Sequence, residues 1–417
     1  MYRDKTLEHN QSIKSARANL QSADIEHKLS KRALLPNFDL EAGYRYMNDP
    51  QLMSIPGHEL PTTTGTPSGV YSPPFTKNLT YHNSYEATIG MSLPLYLGGK
   101  LGYARRISEK VKNIAELNVE LNKTAVLSQI ETQYWTLVSL LEKKKLAQNS
   151  VKFLENVVID MSNLYTNDIV TKNEVLKAQV QRNNAELFLI SVGDNIEIIK
   201  MSINQFIGND IDTKLLIEDS VIQISKPEAE LTFNPDCLGN RNEIKILLQQ
   251  LEIHKITQKM IRSDYLPQLV SYAGYTLKST NHLGEDEKEL TWNAGLSLSI
   301  PIFHWGARSL KIDQAKLKTE SIGYTLDRTR ELLSLEIKQA IFSLEEAYTK
   351  LDFTEDALKQ SDENLSFETN KLKQGIANTT DLLNAQVQRQ KAHADYIAAK
   401  ADVKIQQMLY RKAIGEL

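Results

Sequence analysis

The chain of 417 residues has little cysteine, few aromatic residues and no long apolar run. Its single cysteine, Cys237, excludes an internal disulfide and any zinc site built from several cysteines. Aromatic residues make up 7% of the chain and charged residues 24%, a balance that favours long helices over a β-sandwich. No stretch approaches the roughly 18–20 apolar residues of a membrane-spanning helix. The sequence therefore excludes a helical membrane protein but leaves a membrane-spanning β-barrel open.

Charge and motif content also exclude several function classes. The formal net charge is −3, and no run of Lys and Arg reaches five residues, which argues against nucleic-acid binding. The 8 histidines form no His-x-x-x-His pair, and no Gly-x-Ser-x-Gly segment occurs. Gly98-Gly99-Lys100 is too short for a phosphate-binding loop. We therefore expect no enzyme activity, no cofactor and no metal site.

The second half of the chain repeats the first. Ala178-Gln179-Val180-Gln181-Arg182 recurs 207 residues later, at 385–389, and the same offset pairs Leu93-Pro94 with Ile300-Pro301. Upstream the offset is 231, which pairs Leu35-Pro36 with Leu266-Pro267. The difference places an insertion of 24 residues in the first half, within the segment 47–80, where we expect a surface loop. Such self-similarity indicates duplicated structural units.

Each half contains two segments in which apolar and polar residues alternate. Phe38, Leu40, Ala42 and Tyr44 alternate with polar residues or glycine, and the same pattern recurs in two of the other segments. The remaining segment, about 269–277, alternates less cleanly. Alternation with a period of two predicts amphipathic strands, here four strands of roughly 9–10 residues, long enough to cross a bilayer when tilted. The expected strands are about 37–47, 83–93, 268–278 and 291–300.

Long helical hairpins follow the strands. In the second half, leucines and other apolar residues recur at spacings of 3, 4 or 7 from Ile337 to Leu372, and no proline interrupts residues 99–166 or 306–373. Helices of about 100 Å cannot be buried in a compact domain and must pack as coiled coils. We expect a first repeat at 1–208 with hairpin 99–207 and a second at 239–417 with hairpin 306–414. A linker occupies 209–238, and the hairpin tips lie near 167–171 and 374–378.

Four amphipathic strands cannot close a barrel by themselves. An open sheet in lipid would leave the backbone groups of its edges without partners, and single-chain barrels begin at about eight strands. Two copies of the chain would supply eight strands and three copies twelve. The pattern therefore predicts an oligomeric conduit, with a β-barrel at one end and helical tips at the other.

The sequence resembles the TolC-like outer-membrane efflux proteins over nearly its whole length. The resemblance rests on the Leu-Pro strand entries, the duplication and the tip segments. Leu372-Lys373-Gln374-Gly375, followed by Asp381-Leu382-Leu383-Asn384-Ala385-Gln386, is similar to the family's Tyr-x-x-Gly…Asp-Val-Leu-x-Ala-Gln pattern. The resemblance implies a mostly α protein with a small β part. The protein would be a homotrimer whose 12-stranded outer-membrane barrel continues into an α-helical periplasmic barrel. The resemblance also implies docking of a periplasmic adaptor and an inner-membrane pump at the tips, and contact with outer-membrane lipid.

Several residues near the tips are candidates for a periplasmic entrance. Glu174 and Asp381 are equivalent in the repeat, and a trimer would carry six such carboxylates, which would attract cations. The resemblance implies an acidic ring there, weakened by Asn384 one turn further on; the alternative is a solvated helix face. Family gates use a tyrosine and an arginine, whose matching positions are Leu372 and Ala377, while Tyr165 supplies a tyrosine in the first half. The candidate residues for adaptor docking are Asn167, Asp168, Lys172, Lys373, Gly375 and Asn378.

The function predicted is an outer-membrane exit duct of a tripartite efflux or type I secretion system. The start of the chain, Met1-Tyr2-Arg3-Asp4-Lys5, carries no apolar export signal and no lipid-acceptor cysteine. Taken literally this predicts a cytoplasmic protein, and the alternative is that an export segment is missing. A soluble coiled-coil scaffold without transport activity is the second hypothesis, which four strands of bilayer length disfavour.

Overall fold

The computed structural model describes residues 2–49, 52–63, 65–78, 83–215, 224, 235–282, 285–374 and 378–417. The described chain is mostly helical with a small antiparallel sheet, as predicted. Its helices are α1 Tyr2–His9, α2 Gln11–Arg32, α3 Lys100–Thr166, α4 Lys172–Ile207, α5 Asn242–Ser263, α6 Ala307–Lys373 and α7 Thr379–Ala413. Its strands are β1 Asn37–Tyr46, β2 Leu52–Ile55, β3 His58–Pro61, β4 Pro67–Ser72, β5 Phe75–Asn78, β6 Asn83–Leu97, β7 Gln268–His282 and β8 Glu285–Ser299.

The predicted amphipathic strands form one antiparallel sheet in the order β1-β6-β7-β8. Residues directly opposite each other in such a sheet point to the same face. Leu40, Ile89, Tyr275 and Trp292 lie in one row across the four strands, and the neighbouring residues form a polar row on the other face. In that polar row the hydroxyls of Thr88 and Thr276 are 3.0 Å apart. Register thus gives the sheet one apolar and one polar face.

The two hairpins of this sheet have the same register. In the first, Asn37 pairs with Ser92 and Tyr46 with Asn83. Adding 231 to β1 numbers and 207 to β6 numbers gives Gln268 with Ser299 and Leu277 with Leu290, and both pairs are observed in the second hairpin. The duplication read from the sequence therefore extends to the backbone pairing.

The insertion in the first repeat contains strands that the sequence analysis did not predict. β2 pairs with β5 and β3 with β4, each as a two-stranded antiparallel sheet. Gly65 and Gly69 have positive φ angles of 75° and 73°, which glycine adopts at little cost in tight turns. The described residues of the insertion are exposed or partly exposed, as expected of a surface loop, but they form short β-pairs. A segment that folds back on itself in this way can satisfy its own backbone groups.

The chain forms two compact units, which do not coincide with the two repeats. The first comprises Met1–Ala23, Lys110–Glu252 and Glu320–Leu417, and the second Asp24–Glu109 and Ile253–Thr319. The four-stranded sheet belongs to the second unit. The first unit holds most of the helical hairpins, and its buried clusters include one of Ile130, Leu137, Val192, Ile196 and Ile203 between α3 and α4. Each unit therefore draws on both halves of the sequence.

Equivalent hydrogen bonds are found at the C-terminal ends of α4 and α7, the return helices of the two helical hairpins, in the first unit. The Asn10 side-chain amide donates to the Phe206 carbonyl at 3.4 Å, and the Arg241 guanidinium donates to the Ala413 carbonyl at 2.7 Å. Asn10 and Arg241 are related by the 231 offset, and Phe206 and Ala413 by the 207 offset. Helix C-termini leave carbonyls without intrahelical partners, and these side chains supply donors. Asn10 and Arg241 thus supply a donor to the corresponding carbonyl in each repeat, although the two residues differ in type.

Candidate functional site

The tip of the first hairpin is a tight turn between α3 and α4. Asp168 has a φ of 60°, and the Ile169 amide donates to the Leu164 carbonyl at 2.9 Å. The left-handed conformation favours Gly, Asn or Asp, and the turn lies at the hairpin tip expected near 167–171. The exposed residues of this tip include four of the candidates, Tyr165, Asn167, Asp168 and Lys172.

The tip of the second hairpin joins α6 to α7. α6 ends at Lys373, and Asn378 caps α7 because its Oδ1 accepts from the Thr380 amide at 3.1 Å. Such a cap satisfies one of the free amides at a helix start. Leu372 is partly buried against the tip core. Gly375, a candidate for adaptor docking, lies outside the described residues, so its role stays a prediction.

The tips share one buried core within the first unit. Leu154, Val157 and Met161 come from α3, and Val175, Ala178 and Ala185 come from α4. Leu382 and Leu383 of α7 complete the cluster. The Thr379 hydroxyl adds a polar contact to the Met161 sulfur at 3.2 Å. Because α7 contributes to a core formed by α3 and α4, the start of the second return helix is held against the first hairpin.

The two candidate carboxylates have different surroundings. Asp381 is exposed in the first turn of α7, as is Asn384 one turn later. The Glu174 side chain is only 18% exposed, and its Oε1 accepts from the Lys177 ammonium at 2.9 Å. Among the described residues, its buried Oε2 has no hydrogen-bond partner. Asp381 and Glu174 are equivalent in the repeat, yet Asp381 is an exposed carboxylate and Glu174 is ion-paired with Lys177.

Lys177 was not predicted as a site residue, yet it links the two hairpins. Its ammonium also donates to the Thr380 hydroxyl of α7 at 3.0 Å. The repeat could have drawn attention to this position, since Lys177 precedes the recurring Ala-Gln-Val-Gln-Arg segment where the second half has Asn384. The contact itself depends on packing between segments that lie 203 residues apart.

A second polar contact between the hairpins lies deeper, between α3 and α7. The Gln386 amide donates to the Ser150 hydroxyl at 3.0 Å, and this hydroxyl donates to Gln390 Oε1 at 2.8 Å. Ser150 and Gln386 are each 2% exposed. Buried polar groups that bond to each other constrain how helices pack, because a shifted arrangement would leave them without partners. Both contacts therefore hold the hairpins in register near the tip.

Two classes of site are not found in the described part of the chain. None of its helices combines the length and apolar character needed to cross a membrane. Over the same residues, no group of three or more His, Cys, Asp and Glu side chains is arranged to hold a metal ion.

The model of the family described as outer membrane efflux protein matches residues 2–209 and 236–416. The chain belongs to the outer membrane efflux protein family. Proteins of this family are outer-membrane channel proteins rather than enzymes, in agreement with the sequence analysis.

Solved structures of outer-membrane channels share the fold at low sequence identity. The OprN channel is 14% identical, with a TM-score of 0.79, over 100% of this chain and 89% of that one. The CmeC channel of Campylobacter jejuni is 19% identical with a TM-score of 0.77, covering 100% and 85%. The VceC protein of Vibrio cholerae is 17% identical with a TM-score of 0.74, covering 99% and 95%. No curated protein matches the chain in sequence.

Proposed function

We propose that the protein is one subunit of a trimeric outer-membrane exit duct, through which small molecules or other cargo pass from the periplasm to the exterior. A periplasmic adaptor and an inner-membrane pump would dock at the helical tips and supply the energy. The observation that carries this proposal is the four-stranded sheet, which has two open edges and an exposed apolar face.

The apolar face is suited to lipid rather than to water. Leu40, Ile89, Tyr275 and Trp292 form a continuous row in which every side chain is more than half exposed, from 53% to 74%. Soluble single chains rarely expose contiguous apolar surface of this kind. The opposite face carries polar residues such as Glu41, Thr88 and Thr276, as expected of a strand face that lines an aqueous lumen.

The open edges require further copies of the chain. β1 and β8 each have a partner on one side only in this sheet. Free backbone amides and carbonyls cost several kcal/mol each in hydrocarbon, so the edges must pair before the sheet can enter a bilayer. Two copies would contribute about eight strands and three copies about twelve, both within the range of closed barrels. Membership of the outer membrane efflux protein family favours three copies.

Apolar helix faces in the first unit support the same assembly. α4 exposes Leu187, Ile190 and Ile198 at 60% or more, and α6 exposes Phe342 and Phe353 at 68% and 72%. These faces lie on different hairpins of one chain. A ring in which α4 of one copy meets α6 of the next would bury both faces in a heterologous interface that closes on itself.

The tips would form the periplasmic entrance. In a trimer, Asp381 would contribute three exposed carboxylates around the opening, and Glu174, with its Lys177 partner, would contribute less negative charge. The exposed turn residues Asn167, Asp168, Lys172 and Asn378 would offer the adaptor its docking surface, together with Lys373 and Gly375.

The test is the native mass and membrane partition of the protein, expressed behind a working export signal. We expect a particle of three chains that fractionates with the outer membrane and needs detergent to stay in solution. A monomer or dimer that is stable without detergent would contradict the proposal and favour a soluble scaffold.

A further inference from the structure

The internal repeat makes it possible to infer how neighbouring copies pair at the open edges of the sheet. Adding 231 to the residue numbers of β1 and 207 to those of β6 converts every β1–β6 pair, from Asn37–Ser92 to Tyr46–Asn83, into an observed β7–β8 pair. The remaining pairing of the four-stranded sheet, β6 with β7, joins the last strand of the first repeat to the first strand of the second. If the two repeats are arranged alike around a ring, β8 of one copy must join β1 of the next in the same way.

We infer that β8 of one copy pairs antiparallel with β1 of a second copy, with Ser297 opposite Gly43. This register follows from the observed pair Gly90–Gly274, since Gly90 corresponds to Ser297 and Gly274 to Gly43. The same operation on Thr88–Thr276, Ile89–Tyr275, Met91–Ala273 and Ser92–Tyr272 extends the ladder in both directions. It gives the further pairs Gly295–Arg45, Leu296–Tyr44, Leu298–Ala42 and Ser299–Glu41.

The chemistry of the two edges agrees with this register. Leu296, Leu298 and Tyr44 lie on the apolar face and are 66%, 61% and 59% exposed in the single chain. The inferred pairs place them opposite Tyr44, Ala42 and Leu296, so apolar residues meet apolar residues across the junction. Ser297, Ser299 and Glu41 fall on the polar face. A slip of one residue would place apolar side chains on the wrong face, whereas a slip of two would not.

The two repeats differ at the corner between the second strand and the following helix, which is β6 to α3 in the first repeat and β8 to α6 in the second. Gly98 has a φ of 62°, and a Cβ there would lie 2.5 Å from the Ser263 carbonyl oxygen. The equivalent residue in the second repeat is Trp305, which has a φ of 50° and is 88% exposed. A side chain at this position could not fit against Arg32 of the next copy, the counterpart of Ser263, as closely as Gly98 fits within the chain. The six corners of a trimer would therefore alternate between close and wider packing, while the strands keep their register.

This inference rests on the proposed trimer, and cysteine cross-linking in the whole protein tests it separately. Cys237→Ser removes the native thiol, and Ser297→Cys with Gly43→Cys then places one thiol on each edge. In the chain, no heavy atom outside its neighbours lies within 4 Å of a Cβ built at Gly43, so the substitution is accommodated. Directly opposite residues in an antiparallel pair have Cα atoms about 4.5–5.5 Å apart, within the range of a disulfide.

Two control variants keep Ser297→Cys but move the second thiol along the same face of β1, to Glu41→Cys or Arg45→Cys. We expect oxidation of the Gly43 variant in outer membranes to give dimer and trimer bands on a non-reducing gel, with at least roughly tenfold less cross-linking in both controls, because a two-residue slip separates the thiols by about 7 Å. Stronger cross-linking in a control, with the trimer intact by native mass, would overturn the register and leave the proposed duct standing. No cross-linking in any variant together with a monomeric mass would overturn both.

Discussion

The Lys177 ammonium of the first hairpin donates a hydrogen bond to the Thr380 hydroxyl of the second at a distance of 3.0 Å. The same ammonium pairs with Glu174 one turn earlier in α4. One cation thus connects the starts of the two return helices. Since the proposed entrance lies at these tips, this contact favours the arrangement in which the hairpins stay together.

Replacing Lys177 by Met should loosen the tip. The lost hydrogen bonds from a partly exposed charged group should weaken the arrangement in which the hairpins stay together by about 1 kcal/mol, a roughly fivefold shift toward states in which they separate. Single-channel recording in planar bilayers measures it as higher open probability. Lys200→Met is the matched control, because Lys200 forms an ion pair with Glu197 three residues away on the same helix, far from the tip. An equal response of both variants would contradict the role of Lys177.

Removing the Asp381 carboxylate should reduce block by divalent cations. Asp381→Ala takes away an exposed charge, so the affinity for the blocking cation should fall several-fold at low salt, where screening is weak. Glu174→Ala should have a smaller effect, because Lys177 already neutralises much of that charge. Adding both substitutions should lower block further than either one.

The neighbouring position supplies a gain-of-function control for this ring. Asn384 is exposed one turn beyond Asp381, so Asn384→Asp should strengthen cation block. If cation block is unchanged in both Asp381→Ala and Asn384→Asp, the proposal of an acidic ring at the entrance is contradicted.

Charge reversal at the turns should weaken adaptor docking. Lys172→Glu together with Lys373→Glu should lower the yield of cross-links to a periplasmic adaptor, because like charges would replace complementary ones at the tip. The trimer should survive, since neither substitution touches the sheet edges. Lys152→Glu, an exposed residue of α3 away from the turn, is the control. Equal yields in all three proteins would place docking elsewhere.

Arg241 should contribute to the stability of the fold and not to transport. It is 5% exposed, donates to the Lys412 and Ala413 carbonyls, and pairs with Glu243 and Glu336. Its removal leaves these acceptors without a donor, so Arg241→Met should destabilise the fold by about 3 kcal/mol. Chemical unfolding in detergent, followed by circular dichroism, measures the change. The control is Arg411→Met, at an exposed residue of α7, the helix whose last carbonyls accept from Arg241; its effect should stay near zero.

The Arg241 contact also has a defined pH dependence. Burial raises the Glu243 pKa, but the hydrogen bond and charge of Arg241 outweigh it and hold the pKa below its usual value. The stabilisation is therefore complete above the unfolded-state pKa and is lost as the pH falls through the lowered folded-state pKa. The stability difference between wild type and Arg241→Met should shrink in acid, and a constant difference would exclude the ion pair as its source.

Much of the fold could be predicted because its patterns are local. The alternation from Phe38 to Tyr44 specifies a strand with two different faces, and the apolar spacing through Ile337 and Leu344 specifies a long helix. The tip expected near 167–171 lies between the end of α3 at Thr166 and the start of α4 at Lys172. The short strands between Leu52 and Asn78 were missed, since strands of four to six residues have too few alternations to stand out from a loop.

The sequence by itself determined the duplication, the two faces of the sheet and the length of the helices, because each depends on residue types at fixed spacing. Only the tertiary structure decided that Lys177 of α4 reaches Thr380 of α7, and that Gln386 of α7 reaches Ser150 of α3. Those relationships join segments about two hundred residues apart in the chain. Their geometry depends on how α7 packs into the core of α3 and α4, and no local pattern encodes that packing.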